Sequence, residues 1–361
     1  MLAFLTLLSL FSVGALGCGS ESADAPKKSK ALFDPDVLRE DTPEAIDKEL
    51  AERFKKMKQA SDKMFSEEDG KRVLTHKYGK TVLPEKPQRI VVVGLEDTAI
   101  SMGLPIVAAH VSKSSYLREA FDALGITNIS INADTKTINL EEVQAVQPDL
   151  ILLRDSYDKN AYNALSKIAP VVAYPERAWG TSMECMIRMN SKAIGMPAQG
   201  EQLIKDLKKH SDDALNAHPS LKGKKVLFGS TGTKGDFSKI GFYTTHDSRA
   251  GFLARNGFGV PKIVAEETKK TDQFFVEVST EKIERFDDVD VFLTYGPEKD
   301  NAKIAGKLKK DELISQMPAV KKGRIAVLGY SNPLAAAANP SPLSIPWGLN
   351  KYYDVLADSL K

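Results

Sequence analysis

Short β-branched apolar runs alternate along the chain with segments whose apolar residues recur every three or four positions. Ile90–Val93, then "PIVAAH", "DLILL" and "PVVAYP", read as strands covered on both faces. Between them, "TAISMGL", "NLEEVQAVQ" and "AYNALSKIA" carry helical spacing. Upstream, Arg72–Gly79 reads as an edge strand, and Pro84 and Pro87 mark a turn into the first buried strand. The alternation predicts a parallel α/β sheet. It stops at Ser182. From there to about Ala217 the pattern predicts one long helix, or two nearly continuous ones around Gly195-Met196-Pro197. It then resumes, with strands in "KKVLFG", "DVFLTYG" and "GRIAVLGY" and helices in "SRAGFLARNGF", "STEKIERF" and "SIPWGLNKYYDVLADSLK".

One pattern returns. "NLEEVQAVQPDLILL" (139–153) and "STEKIERFDDVDVFLT" (279–294) each place a glutamate just inside a helix start. Each then has apolar residues at helical spacing, an aspartate and a buried strand. Glu141 and Glu281 are 140 residues apart. That interval is too long for a solenoid repeat and suits two related lobes.

Composition changes the picture mainly at the N-terminus. The 361 residues are 27% charged with a net charge of +2, so charge gives no reason to expect nucleic acid as a partner. "MLAFLTLLSLFSVGALGCGS" reads as a secretory signal ending in a lipobox, Ala15-Leu16-Gly17-Cys18, with Cys18 lipidated. No basic residue precedes the apolar run, and an ordinary signal peptide beside an unmodified cysteine stays open. The other cysteine, Cys185, then has no intramolecular partner, and the fold must rely on its core. The division expected is a signal peptide and lipobox at 1–18, a tether at 19–41 and an extra N-terminal helix at 42–70. An N-terminal lobe at 71–180, a connecting helix at 181–219 and a C-terminal lobe at 220–361 follow.

Signs of catalysis are few. "FGSTG" fails the nucleophile-elbow spacing, and "GSTGTKG" fits neither a dinucleotide fingerprint nor a phosphate loop. No HExxH or CxxC occurs, and the five histidines are scattered, which argues against direct Zn or Mn capture. The chain reads as a non-enzyme with no cofactor of its own.

The order of lipobox, "HKYGKTVLPEKPQRIVVVG", "NLEEVQAVQPDLILL", long helix and "FFVEVSTEKIERFDDVDVFLTYG" resembles the substrate-binding lipoproteins of bacterial iron–siderophore ABC importers. Their clan also includes vitamin B12 and haem binders. The resemblance covers about Val73 to Lys361 and leaves the 42–68 segment outside the usual pattern. It implies the class III periplasmic-binding-protein fold: two Rossmann-like α/β lobes joined by one long rigid helix, ligand in the cleft, little hinge closure. It implies a monomeric receptor anchored by lipid to the outer face of the cell membrane. Such a receptor hands an Fe(III)–siderophore complex to a permease coupled to an ATPase. It further implies that Glu141 and Glu281, one per lobe, meet permease arginines, with Glu142 able to replace the first. The competing explanation is that a first-turn glutamate is stabilised by the helix dipole alone.

A siderophore already wraps its iron in oxygen donors. The protein then needs aromatic walls and guanidinium or hydroxyl donors in loops after strands. Candidates are Arg154, Arg177 and Trp179 in the first lobe, and Tyr243, Arg249 and Tyr295 in the second, with Tyr330 and Trp347 weaker. The plainer alternative pairs the arginines with Asp155, Glu176 or Asp247, has Tyr295 and Tyr330 cap strand ends, and puts Trp347 in the core. His110, His246 and the tyrosines keep haem open, cobalamin shares the fold, and a scaffold lipoprotein without ligand is a third reading.

Overall fold

The computed structural model describes residues 64–94, 103–110, 124–132, 137–154, 157–174, 181–230, 237–296, 301–329 and 333–361. The expected signal segment, lipobox and tether, and residues 42–63 of the expected extra helix, lie outside them. The end of that helix is corrected. Strand β1 (Phe65–Glu68) pairs antiparallel with β2 (Lys71–His76), which pairs in turn with β3 (Gly79–Val82). Asp69-Gly70, both at positive φ, makes the two-residue turn between β1 and β2. An Asp-Gly pair between strands is a strong hairpin signal, and it overrides the helical spacing before it. The expected edge strand is thus the middle strand of a three-stranded sheet.

The first lobe holds five parallel strands: β4 (Ile90–Val93), β5 (Ile106–Ala109), β6 (Thr127–Asn128), β7 (Leu150–Leu153) and β8 (Val171–Val172). Their order is β6-β5-β4-β7-β8. The second lobe holds β9 (Val226–Ser230), β10 (Lys239–Tyr243), β11 (Phe275–Ser279), β12 (Val291–Tyr295) and β13 (Ile325–Leu328), in the order β11-β10-β9-β12-β13. The orders correspond strand for strand, with one difference: β10 runs antiparallel to both neighbours. Only residues 231–238 separate β9 from β10. A parallel crossover needs about a dozen residues, so this connection is too short for one.

The repeated aspartate has a structural reason. Asp149, just before β7, accepts the backbone N–H of Arg89, just before β4, at 2.9 Å. Asp290, before β12, accepts that of Lys225, before β9, at 3.0 Å. In each lobe one carboxylate ties together the starts of the two central strands. Arg89 of the "KPQR" motif also donates from Nε to the Val146 carbonyl at 3.0 Å, closing the end of helix α1 (Leu140–Ala145).

Two helices connect the lobes, α3 (Met183–Ala193) and α4 (Pro197–Ala217), numbered after α2 (Lys159–Leu165). They are not nearly continuous. Arg188 Nε lies 2.7 Å from Glu201 Oε1, whereas thirteen residues of unbroken helix would separate them by about 20 Å. Pro197 has no N–H to continue the ladder of α3 and starts α4 instead. Gly200 lets the helices meet, because a Cβ there would fall on the Ser191 side chain.

α4 buries Leu203, Ile204, Leu207, Ala214 and Leu215, a stripe at helical spacing. One core joins this stripe to Ile90, Val92, Leu150 and Leu152 of the first sheet and to Val226, Phe228 and Leu293 of the second. Alternate strand residues, such as Val91 and Ile151, or Leu227 and Phe292, pack on the opposite faces. A connection sharing close-packed core with both sheets resists hinge bending. α5 (Ser248–Arg255) is fixed to α3 by a buried pair, Arg255 Nη2 to Glu184 Oε2, at 3.7 Å. The chain closes with α6 (Lys262–Lys270), α7 (Asn301–Lys310), α8 (Pro318–Lys321), α9 (Pro333–Ala338) and α10 (Ser344–Asp358).

Candidate ligand-binding site

Four aromatic rings form a row across the second sheet. Phe275 on β11 faces Tyr243 on β10, with centroids 5.2 Å apart. Tyr243 meets Phe228 on β9 edge to face at 5.3 Å, and Phe228 meets Tyr295 on β12 at 5.1 Å. Such tilted contacts suit the ring quadrupoles. Phe228 is buried in the core beneath the row, whereas Tyr243, Phe275 and Tyr295 are half-buried.

Arg249, in the first turn of α5, completes it. Its guanidinium carbon lies 3.8 Å over the Tyr243 ring, and Nη1 donates to the Tyr243 hydroxyl at 3.0 Å. Nε and Nη2 donate to the two oxygens of Asp247 at 2.7 and 2.8 Å. Asp247 is also the α5 N-cap, accepting the Arg249 backbone N–H at 2.9 Å. The plainer expectation for Arg249, a pair with Asp247, is therefore met, and the same side chain still reaches Tyr243. Burial opposes the Arg249 charge, but Asp247 outweighs it and holds the guanidinium firmly protonated. Burial pushes the Tyr295 phenol up to about 12, against the pull of Arg249, and raises Tyr243 as well. Both phenols are neutral donors at physiological pH.

In the first lobe, Arg154 follows β7 directly and packs against Gly94, which follows β4. Gly94 has φ +79, and a Cβ there would lie 2.9 Å from that of Arg154, so this approach of the two strand ends needs glycine. Beside them sits a tyrosine cluster that the sequence did not single out. Tyr78, in the β2–β3 turn, packs on Tyr162 at 5.1 Å and Tyr174 at 5.5 Å. Its hydroxyl bonds to that of Tyr174 and donates to the Tyr157 carbonyl at 3.2 Å. His76 underlies the turn. Tyr78 N–H donates to its Nδ1 at 3.1 Å, so the ring proton sits on Nε2 and points to Thr81 Oγ1 at 2.9 Å. Burial lowers the His76 pKa to about 4.

Glu141 and Glu281 are both exposed, and each follows a side-chain cap, Asn139 Oδ1 or Ser279 Oγ. Glu142 differs: it accepts from Ser130 N at 2.5 Å and Ser130 Oγ at 3.0 Å and is committed to that loop. The second glutamate sits in a 3-10 segment, Thr280–Phe286, where "STEKIERF" predicts an α-helix. His246 is buried, its Nε2 donating to the Thr271 carbonyl at 2.7 Å, and His110 Nδ1 bonds to the Ile129 carbonyl at 2.7 Å. Arg177, Trp179, Tyr330 and Cys18 lie outside the described residues, as does the Trp347 side chain.

A model of the family described as "Periplasmic binding protein" matches residues 90–331, more than half of the chain. The chain belongs to this family. Among similar proteins, the probable siderophore-binding lipoprotein YfiY of Bacillus subtilis (strain 168) is 30% identical over 67% of this chain and 74% of its own. The Fe(3+)-citrate-binding protein YfmC of the same organism is 23% identical over 72% of this chain and 79% of its own. The structure of Streptococcus pneumoniae TIGR4 PiaA in complex with ferrichrome superposes with a TM-score of 0.71 at 34% identity. It covers 80% of this chain and 98% of that one. The two-lobed architecture is the class III fold of periplasmic binding proteins.

Within this fold the structure brings together Tyr243, Arg249 and Tyr295 and places Arg154 in the other lobe. Sequence reasoning missed Phe275, because β11 carries no strand pattern that the sequence marks; Phe228 is buried core, as its strand pattern predicts. Tyr78 and Tyr174 stood inside motifs that were read only for their strands.

Proposed function

We propose that this protein is a receptor that captures a ferric siderophore and delivers it unchanged to the permease of an ABC importer. The observation that carries this reading is the Tyr243–Arg249–Tyr295 cluster on an aromatic row, in a chain 34% identical to a ferrichrome-bound protein across four-fifths of its length. The cluster offers phenol and guanidinium hydrogens to the peripheral oxygens of an iron complex, and the rings offer apolar surface to its organic shell. Arg154, at the end of β7 in the first lobe, is a further donor to the ligand, and Arg177, Trp179 and Tyr330 are further ligand contacts of the same reading. The iron is cargo, held by the siderophore's own donors.

Lipidation at Cys18 holds the receptor at the outer face of the cell membrane, with the residues after it as a tether. It works as a monomer. Glu141 and Glu281, exposed at equivalent places in the two lobes, dock on permease arginines and set the cleft over the pore. Catalysis is left to the ATPase bound to that permease.

The test is tryptophan quenching on purified protein from residue 19 onward, titrated with ferric hydroxamates, ferric catecholates, haem and cobalamin. Submicromolar quenching by one siderophore class is expected. Quenching by haem or cobalamin alone would replace the ligand. Silence towards all of them, from folded protein, would sink the receptor reading.

A further inference from the structure

We propose that Asp247 sets the charge class of the cargo. By cancelling the Arg249 charge, it makes the second-lobe wall a site for an electroneutral ferric trihydroxamate complex rather than an anionic triscatecholate. This rests on the receptor reading above.

The geometry is unusual for an arginine meant to attract an anion. Both Asp247 oxygens are taken up by Arg249, and the side chains are only 1% and 14% exposed. The guanidinium therefore carries its counter-charge within hydrogen-bond distance, in a site largely screened from water. To a ligand a few ångströms away, the two look like a dipole rather than a cation. The rest of the row adds no charge: Phe228 and Phe275 are apolar, and burial keeps Tyr243 and Tyr295 protonated.

Cargo classes differ in this property. Three hydroxamates, each monoanionic, neutralise Fe(III). Three catecholates, each dianionic, leave a complex of charge 3−. Moving a trianion from water onto an aromatic wall is costly unless net positive charge meets it. A neutral complex escapes that cost and needs only donors for its oxygen rim. Tyr243 supplies one: its oxygen accepts from Arg249, which leaves its own proton to give. Asp247 thus acts through Arg249 as a positioning residue. It holds the guanidinium over the Tyr243 ring and removes its long-range pull.

Three variants test this: Asp247→Asn, Arg249→Gln and the double change. Asn keeps a cap acceptor for α5. Each is titrated with ferrichrome, as the neutral probe, and with the ferric complex of enterobactin, as the anionic one, at low and high salt. The wild type is expected to favour ferrichrome by about tenfold or more. D247N should move that ratio about tenfold towards the anion, with the shift shrinking in high salt. R249Q should move it the other way, and D247N/R249Q should restore the wild-type preference. A wild type that favours the anionic complex overturns the proposal. So does a D247N that weakens both probes equally, because Asp247 would then be structural only. Binding of neither probe by folded wild-type protein overturns the receptor reading itself.

Discussion

The Arg249 guanidinium stacks 3.8 Å above the Tyr243 ring and donates to the hydroxyl of that same residue at 3.0 Å. The two side chains are thereby held by each other. Tyr243→Phe removes a phenol hydrogen and the acceptor of Arg249. It should weaken siderophore binding about tenfold with little change in stability. Arg249→Ala should cost more, about thirtyfold, and should also lower the unfolding free energy by about 3 kcal/mol, because Asp247 is left as a buried charge without its partner. Calorimetric titration and urea unfolding separate the two effects. Wild-type affinity in R249A would remove the cluster from the site.

Charge reversal at Glu141 or Glu281 should leave siderophore affinity and stability unchanged. Each should weaken binding to the permease in nanodiscs about tenfold, and together they should do more. Glu142→Lys provides the contrast. Its carboxylate is bound to Ser130, so the change should destabilise the first lobe by about 1–2 kcal/mol and leave docking nearly intact. If E142K rather than E141K disrupts docking, the assignment is reversed.

His76 should make the protein acid-sensitive. Its folded pKa is lowered to about 4 by burial, from 6.5 when free. Above pH 6.5 neither state binds the proton and the residue contributes nothing. As pH falls from 6.5 towards 4, the unfolded chain takes up a proton that the folded ring refuses, and stability drops. The loss at pH 5 should be about 2 kcal/mol. The tautomer explains the refusal: Nδ1 faces the Tyr78 N–H and cannot take a proton without breaking that bond. His76→Gln should flatten the slope of urea midpoints between pH 7 and 5, and an unchanged slope would refute this account.

Cys185 is buried on α3, and burial pushes its thiol up to about 11. In protein from residue 19 onward it is the sole cysteine. It should resist a thiol reagent at pH 8 and react fully in denaturant. Fast labelling of the folded protein would contradict the packing of α3 between the lobes.

Gly200→Ala should destabilise the α3–α4 corner by about 1–3 kcal/mol, because the new methyl meets the Ser191 side chain. Adding Ser191→Gly should restore part of that loss, as read from thermal melts. No recovery would mean that the strain lies elsewhere.

The sequence by itself determined the two α/β lobes, the central parallel strands and the repeat carrying Glu141 and Glu281. Each is written in local periodicity, and both faces of a covered strand must be apolar whatever surrounds it. It also named Arg249 and Tyr295, because they stand at the ends of elements that such patterns delimit, and Tyr243, as an aromatic residue shortly before the helix that carries Arg249. Only the tertiary structure decided the rest. Phe65–Glu68 has helical spacing on its N-terminal side, yet Asp69-Gly70 turns it onto β2 as a strand. β10 is inverted because its connection is too short to cross the sheet. Arg188 and Glu201 meet because the helix breaks at Pro197. The aromatic row of Phe275, Tyr243, Phe228 and Tyr295 is scattered over 68 residues of chain and exists only through strand register. That the Asp247–Arg249 pair is buried and reaches Tyr243 was also beyond the sequence. Spacing shows that the two can touch, but burial and the direction of the remaining donors are set by the packing of α5 against the sheet.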